Sequence, residues 1–89
     1  MICNTIKGFI DDKVAWYRGW LKEYPYDFQR NCSREYVIGC IATEITESVA
    51  DKNFTITELK DAISGSIDRF DFQEVIDGRT YSFTKPVMV

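Results

Sequence analysis

Apolar residues recur at intervals of three and four from Thr5 to Tyr24, at Ile6, Phe9, Ile10, Val14, Tyr17, Leu21 and Tyr24. That is the period of one helix face. Asn4 offers an N-cap and Pro25 a stop. Lys13 interrupts the apolar arc, and Gly8, Ala15 and Gly19 form a strip of small residues on another side. Each glycine costs a helix about 1 kcal/mol against alanine. The strip therefore reads either as tolerated glycine or as a place of close packing.

Tyr26 to Asn31 reads as a polar and aromatic connection. Ser33 then caps a second helix with the apolar stripe Val37, Ile38, Ile41, Ala42, Ile45 and Val49. Its reverse face carries Tyr36, Cys40, Glu44, Glu47 and Asp51. In Phe54-Thr55-Ile56-Thr57-Glu58-Leu59, Thr55 and Glu58 have capping-box spacing, and Phe54 and Leu59 stand where a hydrophobic staple closes. The predicted third helix runs from Ile56 to Ser64 and ends at Gly65. Ser66 to Asp71 fits either one more helical turn or the approach to a strand. Beyond it, Phe70, Phe72, Val75 and Ile76 precede Asp77-Gly78, with Tyr81 and Phe83 after it, the pattern of a hairpin with a two-residue type I′ turn. This register sets Phe72 opposite Phe83 and Glu74 opposite Tyr81, and Pro86 ends the second strand. The expected fold is α+β, with about three helices followed by a C-terminal two-stranded antiparallel β-hairpin, in one domain over residues 1–89.

Length and composition leave room for one core only. The 89 residues include six Phe, five Tyr and two Trp, a large apolar payload for so short a chain. Cys3, Cys32 and Cys40 are odd in number and form no C-x-x-C pair, and histidine is absent. Zinc patterns that need Cys and His together are thereby excluded, and reduced thiols in a cytoplasmic setting are expected. The longest apolar run, Tyr36 to Ala42, is too short to span a bilayer, and Met1-Ile2-Cys3-Asn4 lacks the basic start of a signal peptide. No membrane association is expected.

Catalytic chemistry finds little footing. Without histidine, Ser-His-Asp and Cys-His arrangements are impossible. Asp11 and Asp12 point about a hundred degrees apart on a helix, poor geometry for a shared substrate or metal. Glu44, Glu47 and Asp51 do share a face, but carboxylates opposite an apolar stripe are what any amphipathic helix shows. Cys40 has acidic neighbours, which disfavour a reactive thiolate. Ser64-Gly65-Ser66 lacks the phosphate-loop pattern. The chain is thus expected to be no enzyme and to need no cofactor or metal.

Charge is unevenly spread. Residues 1–42 hold six basic and five acidic side chains, residues 43–77 hold three and nine, and residues 78–89 hold two and none. A segment so acidic steers basic partners and repels phosphates. Helices followed by a hairpin resemble a winged-helix DNA-binding domain in element order, with Phe54-Thr55-Ile56 as the short leading strand and Asp77-Gly78 at the wing tip. The segment that resemblance makes the recognition element, Ser66 to Glu74, sets Arg69 against Asp68, Asp71 and Glu74. That balance opposes the phosphate neutralisation on which DNA affinity rests, so a DNA-binding regulator is the alternative reading. The favoured one is a protein-binding module, an inhibitor or adaptor that docks an acidic surface on a basic, nucleic-acid-binding partner. By size, charge and lack of chemistry its sharpest form is a phage-type antagonist of a bacterial defence or nucleic-acid enzyme. The candidate contact residues are Glu44, Glu47, Asp51, Asp61, Asp68, Asp71 and Glu74, flanked by Trp16 and Trp20 on the first helix. The Gly8-Ala15-Gly19 strip or the aromatic edge also offers a route to a homodimer.

Overall fold

The stripe of Ile6, Ile10, Val14, Tyr17 and Leu21 is buried along α1, Asn4–Glu23, in the computed structural model, which describes residues 2–50 and 52–85. Cys3 rather than Asn4 takes the N-cap position, without a side-chain hydrogen bond, so this boundary shifts by one residue. Pro25 does stop α1, but it also begins another helix. Tyr26 to Asn31, expected as a connection, belongs to α2, Pro25–Asn31, with Pro at its first turn, Asp27 near its start and Arg30 near its end. Proline suits the first helical position, where its missing N–H is needed by no carbonyl, and the two charges complement the helix dipole. Among the described residues the domain therefore has four helices before the hairpin, where about three were expected.

α3, Arg34–Ser48, starts on the expected cap: the Ser33 hydroxyl accepts from the Tyr36 N–H at 3.0 Å. Val37, Ile41, Ala42 and Ile45 are its buried stripe. α4, Ile56–Arg69, opens on the full capping box, with Thr55 N–H donating to Glu58 Oε1 at 2.9 Å and Glu58 N–H to Thr55 Oγ1 at 3.1 Å. Both staple positions reach the core, Leu59 fully buried and Phe54 packed against it. α4 does not end at Gly65 but runs on to Arg69, which resolves the ambiguous Ser66 to Asp71 stretch as helix followed by a turn. Continuing the helix buries Ile67 completely, worth about 1.5–3 kcal/mol, against roughly 1 kcal/mol for a helical glycine. The left-handed residue that breaks the chain direction is Asp71, at φ 49°. The short leading strand at Phe54-Thr55-Ile56 does not form, since Thr55 caps α4 and Ile56 is its first residue.

The hairpin comprises β1, Glu74–Ile76, and β2, Arg79–Tyr81, paired antiparallel with Glu74 opposite Tyr81 as expected. Asp77 and Gly78 both have positive φ, 51° and 79°, the geometry of a type I′ turn. Phe72 and Phe83 lie beyond the ladder yet stack with centroids 4.8 Å apart. Pro86 lies outside the described residues; β2 already ends at Tyr81.

α1 packs against α2, α3 and α4, and α3 against α4, so α1, α3 and α4 form a three-sided bundle around one continuous core. α2 and the hairpin close one end, where Phe28 of α2 meets both Phe72 and Phe83. Ser82 N–H donates to Gln29 Oε1 and Thr84 N–H to the Cys32 carbonyl, which clips the segment after β2 onto α2.

Candidate functional site

A helix that contributes one stripe to a core leaves the opposite face in solvent, and on α1 that face is unusual. A Cβ built on Gly8 or Gly19 meets nothing within 4 Å, so the small strip is not a site of close packing within the chain. Gly19→Ala is accordingly expected to stabilise the domain by about 1 kcal/mol, raising the melting temperature by about 4–8 °C. An unchanged or lowered melting temperature in a thermal scan would show that something does pack there.

Beside the strip runs an aromatic edge. Trp16 is 64% exposed and Phe9 45%, while Trp20 is half-buried and its indole Nε1–H donates to Asp27 Oδ2 at 3.1 Å. Trp16 and Trp20 lie with ring centroids 5.8 Å apart, 61° from coplanar, an edge-to-face arrangement. Trp16 divides two grooves. On the α3 side, Phe9, Asp12, Lys13 and Tyr17 of α1 and Glu44 and Ile45 of α3 line a groove of about 610 Å³. On the outer side, Ala15, Gly19, Trp20, Glu23, Tyr24 and Asp27 join Trp16 around a second of about 620 Å³. The folding of α2 back against α1 is what carries Asp27 to this second groove.

The candidate carboxylates are spread over the seams of the bundle. Glu44 pairs with Lys13 at 3.2 Å across α1 and α3, which also explains the lysine in the apolar arc. Asp68 pairs with Arg34 at 2.9 Å across α3 and α4, and Arg34 also reaches the Ser64 hydroxyl. Across α1 and α4, Asp11 accepts from Ser66 Oγ at 2.6 Å and Arg69 Nη2 at 3.2 Å. Glu74 lies 3.4 Å from Arg18, whose guanidinium also donates to the Phe70, Asp71 and Gln73 carbonyls. Glu47, Asp61 and Asp71 are exposed and form no ion pair among the described residues. Asp51 lies outside the described residues. Of the nine candidates, the structure thus brings together Trp16, Trp20 and, across the first groove, Glu44; Asp68 and Glu74 lie along other seams. Glu23 and Asp27 were not singled out from the sequence, and Tyr24, expected on the apolar face of the first helix, is exposed at its C-cap; the three complete the outer groove.

Behind the edge, the Tyr17 phenol is pushed up by burial, reinforced by Cys40 and Glu44. A hydrogen bond with Cys40 raises Tyr36, and burial pushes the Cys32 thiol up from 9.0 to about 11, with Asp27 and Cys40 adding to it. Groups whose folded pKa is raised stabilise the fold fully below their unfolded pKa and lose that contribution as pH rises through the folded value. Stability is therefore expected to fall as pH rises from 9 toward 11, by about 2 kcal/mol from Cys32 alone. Urea unfolding at intervals across this window, with Cys32→Ala losing part of the slope, checks it. A flat profile contradicts it.

Among the described residues no three Cys, Asp or Glu side chains gather closely enough to hold a metal ion, and no helix is long and apolar enough to cross a membrane. Comparison with protein-family models, curated proteins and solved structures found no match to this chain.

Proposed function

We propose that the protein is a non-catalytic protein-binding module, an inhibitor or adaptor, that docks on a basic partner through the outer edge of α1 and the carboxylates beside it. The observation that carries this reading is Trp16, 64% exposed between two grooves. Leaving a large aromatic surface in water forgoes about 1.5–3 kcal/mol of burial, and tryptophan is the commonest anchor where partner surfaces meet. In the groove on the α3 side Asp12 stands beside the Lys13–Glu44 pair, whereas Glu23 and Asp27 line the outer groove without a lysine or arginine among them, so a partner with basic side chains meets its complementary charge on the outer side of the indole. A docked regulator of a nucleic-acid enzyme fits this chemistry, since the same basic surface that holds phosphates would face these carboxylates.

The DNA-binding alternative draws less support. Arg18, Arg34 and Arg69 are each engaged with the protein's own carboxylates, and the exposed residues of α4 set Asp61 and Asp68 against Lys60 and Arg69. Phosphate contacts would have to break these pairs.

The test is affinity capture from a bacterial lysate with the wild-type chain, Trp16→Ala, and a variant carrying Glu47→Lys and Asp61→Lys. A partner retained by the wild type and lost by Trp16→Ala, at unchanged circular dichroism, is the expected result. Loss with the double variant alone would move the docking surface to α3 and α4. Salt-sensitive gel shift of random duplex DNA by the wild type would favour the alternative.

A further inference from the structure

We propose that the outer groove of α1 receives an arginine side chain of the partner protein, an inference that rests on the reading of this edge as the docking surface. Ala15 and Gly19 line the groove, and among the described residues nothing beyond the neighbouring helix turn comes within 4 Å of where a Gly19 Cβ would stand. Trp16 and Trp20 form the wall, their rings 61° apart, and Glu23, Tyr24 and Asp27 complete the rim. Among the described residues no lysine or arginine lines the groove. Elsewhere the chain answers its own carboxylates: Asp11, Glu44, Asp68 and Glu74 each face a lysine or arginine of the same molecule. Glu23 and Asp27 form no ion pair among the described residues. The two oxygens of Asp27 accept from Trp20 Nε1 and Asn31 Nδ2 at 3.1 Å, neutral donors that hold the carboxylate in place without supplying a cationic side chain.

A groove lined by two indoles and by carboxylates without an ion-pair partner selects a cation. Its open form suits a planar guanidinium, which stacks on an indole while its edge donates to a carboxylate, better than a compact, strongly hydrated ammonium. A second copy of the chain is disfavoured, because pairing this face with itself sets one acidic rim against another.

The experiment titrates the ¹⁵N-labelled protein with a blocked Gly-Arg-Gly-Arg-Gly peptide and, separately, with its lysine and citrulline counterparts, reading the indole N–H signals of Trp16 and Trp20. Citrulline keeps the shape of arginine and removes its charge. Saturable shifts of both indoles with the arginine peptide are expected, weakened about fivefold by Trp16→Ala (read at Trp20) or Glu23→Gln, and absent with citrulline. Trp16 and Glu23 are exposed, so dispersed amide spectra confirm that both variants fold. Equal shifts with citrulline, stronger binding of the lysine peptide, or binding indifferent to both variants overturns the proposal. Capture of the cellular partner separates the two levels of inference. If Trp16→Ala abolishes capture while Glu23→Lys leaves it intact, the docking surface stands and the arginine receptor falls; if neither variant affects capture, both fall.

Discussion

Phe28→Ala is expected to remove about 3–5 kcal/mol of stability, the cost of deleting a large aromatic from a packed core. A domain of 89 residues has in all about 5–13 kcal/mol to lose, so the variant sits at the margin of folding. The reason is position as much as size. Phe28 is fully buried and is the sole buried residue of α2. Its ring meets Trp20 edge-on with centroids 5.7 Å apart, Phe72 at 6.0 Å and Phe83 at 5.6 Å. One side chain therefore joins α1, α2 and the two chain segments flanking the hairpin. Its loss frees α2, and with α2 goes the hydrogen bond that orients Trp20 against Asp27. Urea unfolding measures the loss, and near-ultraviolet circular dichroism of the two tryptophans reads the second effect. A loss below 1 kcal/mol would mean that the hairpin end is held by something other than this aromatic cluster.

Arg18→Met is expected to cost about 2–3 kcal/mol, since hydrogen bonds from a charged donor contribute more than neutral ones and two of the four, to the Phe70 carbonyl and Glu74, are partly buried. Arg18 Nε donates to the Phe70 and Asp71 carbonyls at 3.2 and 3.0 Å, and Nη2 to the Gln73 carbonyl at 2.8 Å and Glu74 Oε2 at 3.4 Å. These bonds hold the chain where α4 ends and Asp71 adopts φ 49°, a conformation that costs an L-residue other than glycine roughly 1 kcal/mol. Nη1 is buried without a partner among the described residues, a penalty that the other four bonds must offset. Methionine keeps the aliphatic stem and removes the donors. Hydrogen exchange should accelerate between residues 70 and 82 while α1 and α3 keep their protection. Uniform acceleration over the whole chain would contradict the local role given to Arg18.

How far the sequence foretells this structure depends on the range of each signal. Local chemistry is legible: Ser33 and Thr55 cap their helices, and Asp77-Gly78 turns the hairpin in the expected register. Each acts within a few residues. α2 is not legible by periodicity, because a seven-residue helix buries only Phe28; its available signal was Pro25 as a first-turn proline followed by Asp27. The reach of α4 past Gly65 was settled by burial of Ser66 and Ile67 against the bundle, a tertiary effect that overrides glycine's local cost. The site divides the same way. That Trp16 and Trp20 share one edge follows from the helical wheel of α1 alone, whereas their burial does not: Trp16 is exposed and Trp20 half-buried. The disposition of charge does not, since an acidic segment looks uniformly negative along the chain, whereas Asp68 finds Arg34 across 34 positions and Asp11 finds Arg69 across 58. Pairing across helix seams neutralises carboxylates that a count by segment leaves free. It also singles out Glu23 and Asp27, whose place beside the indoles depends on α2 folding back.

The most direct test of the docking surface is site-specific photo-crosslinking in cells, with a photoreactive phenylalanine analogue placed at position 16 and, in a parallel strain, at position 80 on the exposed hairpin. Crosslinking to one discrete protein from position 16, with none from position 80, is the predicted result. A discrete product from position 80 with none from position 16 would contradict it.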